Sequence, residues 1–306
     1  MIPNDGKNVA NNLDKRNKVT GTQRNIINKV RGLGSYTFEC SILYLKSMIR
    51  GTTLNSSETY YNLIESEVRI LESYEEELLF KVLKTGIKCP RSIIYLDLGL
   101  WPARFQIKKY KLNYLHVILN QETNSTLYQF FKAQLESPVK GDWVSEIKQL
   151  LIDLEINKTF EEIKHMKRGQ YEKLVHKKIE QFAFNYLLKK VKSKGNQINY
   201  GNKLNIQSYL MPNNVLTLEQ QRDIFNYRSE MNPLKNNFKG DKIIQYCVCL
   251  QVMENKHLYY CEILNNGRKI NHIYEDILNG TLHQQKDIIN ILTENMKKFE
   301  TLTQTY

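Results

Sequence analysis

Between Leu63 and Lys84 the residues Val68, Leu71, Glu75, Leu78, Leu79 and Val82 recur at three- and four-residue steps. That period is 3.6, and it commits the segment to an amphipathic helix long enough to dictate how its neighbours pack. Gly86, with Pro90 beyond it, supplies a stop signal. The acidic side of this helix (Glu65, Glu72, Glu76, Glu77) and the run Glu75–Glu77 read as a solvated face. The same spacing predicts further helices. A short buried one covers 36–50. The helix at about 103–119 opens after Pro102 and carries Ile107, Tyr110, Tyr114 and Ile118 on one face. Helices at 125–136 and 144–154 flank the turn PVKGDW. Thr159 with Glu162, and Thr217 with Gln220, form capping boxes, the second opening a helix at about 217–229. Helix 170–191 turns Val175, Ile179, Phe182, Ala183 and Tyr186 inward. A last helical region, 270–299, is interrupted at Gly280. The fold class is therefore mainly α.

Charge narrows the function. The net charge is +12, and between Lys158 and Lys203 twelve Lys and Arg stand against four Glu, leaving +8 in one segment. A concentrated basic stripe points to a polyanion. Arg104, Lys108 and Lys111 share a face at i, i+4, i+7, with Lys173 and Lys177 on an outer face of the later helix and Lys178 beside them. These six cations are the candidate phosphate contacts, and the alternative for the first three is a set of long stems snorkelling around an apolar helix.

Several classes of chemistry find no support. Nine aspartates are present and no two are adjacent, so no paired-carboxylate box for two metal ions is visible. P-loop, H-E-x-x-H and G-x-S-x-G patterns are missing, and GLG at Gly32–Gly34 has no strand before it. His116 and His165 lie on helical patterns and read as structural. No apolar run approaches the roughly 20 residues of a membrane span. The polar start MIPNDGKNVANNLDKRNK lacks the apolar core of a signal peptide, and five scattered cysteines do not read as a disulfide framework. The expected setting is cytoplasmic or nuclear, with no membrane partner and no small-molecule substrate.

The stretch CVCLQVMENKHLYYC offers Cys247, Cys249, His257 and Cys261, spaced C-x-C-x7-H-x3-C. Three thiols and an imidazole are the donors a structural zinc site uses. If 247–249 is extended, both sulfurs point the same way. The turn must then be sharp at Leu250, a residue that resists positive φ. Otherwise the stretch is a thiol-bearing hairpin with a surface histidine. Tyr246, Tyr259 and Tyr260 flank it as base-stacking platforms or as packing.

In chain order, RGTTLNSSETYYNLIESEVRILESYEEELLFKVLKTG (with Asn55, Glu58, Tyr60 and Tyr61), LGLWPARF, FFKAQLESPVKGDWV, FEEIKHM, YLLKK and CVCLQVMENKHLYYCEILN form a series of spaced words. Together with MIPNDGKNVANN at the start, the series resembles the C-terminal part of the reverse transcriptase of non-LTR, LINE-type retrotransposons. The resemblance implies a helical thumb-like bundle, a basic helical extension, a small Cys/His knuckle and RNA or RNA–DNA hybrid as partner. It divides the chain into a polar segment 1–22, a thumb-like domain 23–120, a basic region 121–192, a linker and helix 193–240, the knuckle 241–266 and a helical tail 267–306. The family's Asp-Asp box has no counterpart here, so no polymerase activity is expected of this chain by itself. Two other readings remain: a protein-interaction module docking through the acidic 63–84 helix, and a zinc-dependent enzyme.

Overall fold

The computed structural model describes residues 38–60, 63–193, 198–212, 215–231 and 245–304, and its regular structure is almost entirely helical. Among these residues the β pairing is confined to two isolated bridges, Leu98 with Ile206 and Tyr246 with Val252. The polar segment 1–22, Gly32–Gly34, Tyr61 and residues 194–197, 213–214 and 232–240 of the 193–240 linker lie outside the described residues.

The first helical run comprises α1 (Phe38–Tyr44), a π-helical stretch (Leu45–Ile49) and α2 (Arg50–Thr53). A 3-10 turn (Ser57–Thr59) leads to α3 (Glu65–Leu83). Leu71, Leu78, Leu79, Val82 and Leu83 of α3 are buried, as its spacing predicts. Its end differs from expectation. Lys84, two residues before Gly86, takes the left-handed conformation (φ 48°), and Thr85 N–H reaches back to the Phe80 carbonyl. The chain must leave α3 there to enter α4 (Arg91–Asp97).

The central helix is α5 (Ala103–Leu119), which packs against α3, α6 (Thr126–Glu136), α7 (Trp143–Asp153), α8 (Phe160–His165) and α9 (Arg168–Lys192). Phe105, Ile107, Leu112, Leu115 and Ile118 of α5 are all buried. Burying a side chain of that size contributes about 1.5–3 kcal/mol before entropy is counted. α9 lays a ridge of Tyr171, Val175, Ile179, Ala183, Leu187 and Val191 against α5 and α4. Steps of four match the i±4 rows that helices interdigitate. Both capping boxes form. Thr159 and Glu162 satisfy each other's backbone N–H at the start of α8, and Thr217 and Gln220 do so at α10 (Leu218–Arg228).

Beyond α10 come three short helices, α11 (Asn255–Tyr260), α12 (Glu262–Asn265) and α13 (Asp276–Asn279), and then α14 (Leu282–Gln304). Ile288, Ile289, Leu292 and Phe299 of α14 are buried, and α10 to α13 pack on it. Gly280 separates α13 from α14 where the sequence places the break; a Cβ there would lie 2.5 Å from the Asp276 carbonyl oxygen. A buried ion pair ties α10 to α4. Arg228 Nε donates to Asp97 Oδ2 at 3.2 Å, the Tyr209 hydroxyl donates to the same carboxylate, and the Arg228 guanidinium sits 5.0 Å above the Tyr209 ring. No helix among the described residues is long and apolar enough to cross a membrane.

Candidate metal centre and basic helix face

The acidic side of α3 is solvated only at Glu65 and Glu77. Glu72, Glu75 and Glu76 are 2%, 0% and 4% exposed. Buried carboxylates persist only when paired and hydrogen-bonded, and arginines from four places meet them. Arg50 grips Glu75 with two N–H groups at 2.7 and 3.0 Å, and the Tyr95 hydroxyl adds a third contact at 3.3 Å. Arg104 grips Glu72 at 2.6 and 2.9 Å and reaches Glu65 at 2.8 Å. Glu76 accepts from Arg91 at 2.6 Å and from Arg69 at 3.4 Å.

This network uses cations that the sequence offers as phosphate contacts. Arg104 is held by two carboxylates, and its pKa rises because the Glu72 hydrogen bonds favour the charged form. Lys111 is buried, with Nζ on Glu146. Lys108 lies over the Phe105 and Phe182 rings at 5.9 and 5.0 Å, and burial lowers its pKa. Arg104, Lys108 and Lys111 therefore share a face of α5, as the spacing says, but that face is covered by α3, α7 and α9.

On α9 the outcome is different. Lys173 and Lys177 are exposed and pair with no carboxylate among the described residues; Lys178 is half-buried beside Glu155 at 3.7 Å. Steps of four continue the Lys173–Lys177 ridge through Gln181 and Asn185 to Lys189, and all five side chains are exposed. It lies two residues out of phase with the buried ridge, on the opposite face of the helix. Lys189 can be found in the sequence only by extending that phase past two neutral residues. From Lys173 to Lys189 the ridge runs roughly 24 Å, at 1.5 Å per residue.

The remaining candidates converge completely. The ligand atoms of Cys247, Cys249, His257 and Cys261 all lie within 4.8 Å of one another, so the four could hold a metal ion. Cys247 and Cys249 do not sit on one extended strand. A turn closed by Leu250 N–H to the Cys247 carbonyl brings their sulfurs together, and the Tyr246–Val252 bridge closes the hairpin behind it. Leu250 adopts positive φ (67°) despite its Cβ, with its side chain 84% exposed. α11 presents His257, and Cys261 follows four residues later as its C-cap, on the same side of the turn. The edges are Cys247–Cys261 at 3.6 Å, Cys249–Cys261 at 4.0 Å and Cys249–His257 Nε2 at 3.2 Å. Tetrahedral bonds of about 2.3 Å to sulfur require S···S edges of about 3.8 Å, so the donor set fits. Burial pushes the Cys247 thiol up to about 12. Cys249 goes the other way: burial opposes the shift, but the Gln251 N–H and the neighbouring thiols outweigh it.

The cluster is anchored from behind. Asn295 of α14 donates to the Leu258 carbonyl and to Asn265 Oδ1, while Asn265 donates to the Tyr259 and Cys261 carbonyls. The flanking tyrosines divide. Tyr259 is buried, with its hydroxyl on the His272 carbonyl, while Tyr246 and Tyr260 remain exposed. No protein-family model matches the chain, and no curated protein or solved structure matches it either.

Proposed function

We propose that this chain binds RNA or an RNA–DNA hybrid through its phosphates, using the outer ridge of α9, and that zinc held by Cys247, Cys249, His257 and Cys261 staples the C-terminal module. The observation that carries the binding role is the ridge Lys173, Lys177, Gln181, Asn185, Lys189, all exposed and free of carboxylates. Cations on a straight helix face can meet successive phosphates without reading bases, and amide side chains add neutral contacts to phosphate and sugar. The order of words that resembles a LINE-type reverse transcriptase supports the same reading, with the chain as thumb and downstream region and with no polymerase chemistry of its own. Arg104, Lys108 and Lys111 then act as fold residues, and Lys173 and Lys177 carry the contact.

The zinc assignment rests on the Cys3His donor set and its edge lengths. Four protein ligands close the coordination shell, which suits a structural ion and leaves no open position for catalysis. The protein-docking alternative relies on an acidic α3 face, and Glu72, Glu75 and Glu76 are turned inward.

Fluorescence anisotropy on a labelled RNA–DNA hybrid and on single-stranded RNA tests the binding role. Saturable binding at about 50 mM salt is expected, and its absence ends the proposal. For the metal, protein purified without chelator should carry close to equimolar zinc. Cys261→Ser should drop this below about 0.3 per chain. Equal metal content in both proteins would contradict the four-ligand site.

A further inference from the structure

A second basic feature lies apart from the α9 ridge. A cleft of about 340 Å³ opens between α3, α4 and the C-terminal end of α9, and Arg69, Lys88, Arg91, Arg104 and Lys190 line it. Glu65, Glu72 and Glu76 line it too, so the cleft carries five cations against three carboxylates. We propose that this cleft is a binding site for a phosphate monoester.

The carboxylates are already spoken for. Glu72 and Glu76 are buried at its base and accept from Arg69, Arg91 and Arg104, and Glu65 accepts from Arg104. Arg104 is fully engaged, but Arg69 and Arg91 are not used up in return. Arg91 spends only Nε on Glu76, and Arg69 spends only Nη1 on Glu72 and Glu76. Both Nη groups of Arg91, with Nε and Nη2 of Arg69, keep hydrogens that meet no acceptor among the described residues. The two side chains are 45% and 39% exposed, so these hydrogens can reach a ligand. Lys190 sits 5.6 Å from the Tyr186 ring centroid and makes no direct ion pair among the described residues, although its charge reaches Glu65. The cleft thus holds a surplus of fixed donors and an excess of two positive charges.

A phosphate monoester has the matching chemistry. It carries a charge of about −1.5 to −2 and three strong acceptor oxygens. An internal phosphodiester has one charge and suits a ridge, where successive groups are met singly. A monoester needs several donors converging on one point, and here they come from α3, α4 and α9. The buried carboxylates hold the guanidinium planes in place before the ligand arrives, which reduces the entropy lost on binding. A volume near the lower end of ligand pockets suits a terminal phosphate with its sugar. That the phosphate belongs to the end of a nucleic-acid strand rests on the binding role proposed above; the phosphate chemistry itself does not.

The test compares one RNA sequence with a 5′-phosphate, a 3′-phosphate or hydroxyls at both ends. Binding is read by anisotropy on wild type, Arg91→Gln and Lys190→Gln. In parallel, inorganic phosphate and adenosine monophosphate are added in a thermal-shift assay. One phosphorylated strand should bind roughly five-fold more tightly than the hydroxyl strand. Both variants should lose that gain while binding the hydroxyl strand as wild type does. Lys190→Gln touches no ion pair, so it remains informative if Arg91→Gln is less stable. Equal affinity for all three strands, or a gain that survives both variants, overturns the proposal. If no strand binds but phosphate or the monophosphate raises the melting temperature of wild type alone, the cleft stands and the nucleic-acid role falls. If nothing binds and nothing shifts, both fall.

Discussion

Glu75 shows how one residue can be read two ways. It falls on the apolar stripe of α3 between Leu71 and Leu78, and it also begins an acidic run. Charge argues for solvent and phase argues for the core, and the core wins because Arg50 arrives from α2 to pair with it. Nothing local in the sequence identifies a partner 25 positions away. Glu75→Ala leaves Arg50 buried and uncompensated, and should cost about 3–5 kcal/mol in urea unfolding. A loss under about 1 kcal/mol would mean that water replaces the carboxylate. Leu250 poses the reverse case. A leucine held at positive φ carries strain of about 1–2 kcal/mol that glycine lacks. Its exposed side chain has little packing to lose. After allowing for glycine's freer unfolded state, Leu250→Gly should stabilise the protein by about 0.5–1 kcal/mol. A lower melting temperature would show that the side chain is held by contacts.

At the scale of elements, hydrophobic period and caps were legible. The helices expected at 63–84, 103–119, 125–136, 144–154, 170–191 and 217–229 form within a residue or two of their bounds. Each has an apolar stripe, and those at 103–119, 125–136, 144–154 and 217–229 also have a recognisable start in Pro102, Ser125, Asp142 and Thr217. What the period could not reveal was which outer face another helix would cover. Arg104 and Lys111 on α5, seven apart, share one helix face just as Lys173 and Lys177 on α9 do at four apart, yet the former pair is covered and the latter is exposed. The short helix α11 was not legible either, because six residues are too few to show a period. Asp142, the N-cap of α7, accepts from the backbone N–H of Ser145 and of Val139. Burial opposes the shift, but these bonds hold its carboxyl below the usual aspartate range. A depressed folded pKa contributes stability above the unfolded value, and the contribution disappears as pH falls through the folded one. Asp142→Ala should therefore cost about 1 kcal/mol at neutral pH, and the gap to wild type should close on acidification. A gap independent of pH would mean that the cap is not acting through its charge.

Across the described residues, the arginines of the core and the lysines of α9 are put to different uses. Arginines at 50, 69, 91, 104 and 228 neutralise carboxylates inside the fold, where a planar fork satisfies two oxygens at once. Lysines on the outside of α9 face water. Arg50, Arg104 and Arg228, the most covered of these, should matter for stability and the outer lysines for binding. The most direct measurement is the salt dependence of hybrid binding by wild type, by Lys173→Gln/Lys177→Gln/Lys189→Gln, and by Arg104→Gln. Removing three phosphate contacts should flatten the plot of log K against log salt by about 3, with each exposed change moving stability by no more than about 0.5 kcal/mol. Arg104→Gln should lower the melting temperature and leave the slope unchanged. A ridge variant with the wild-type slope would contradict the account.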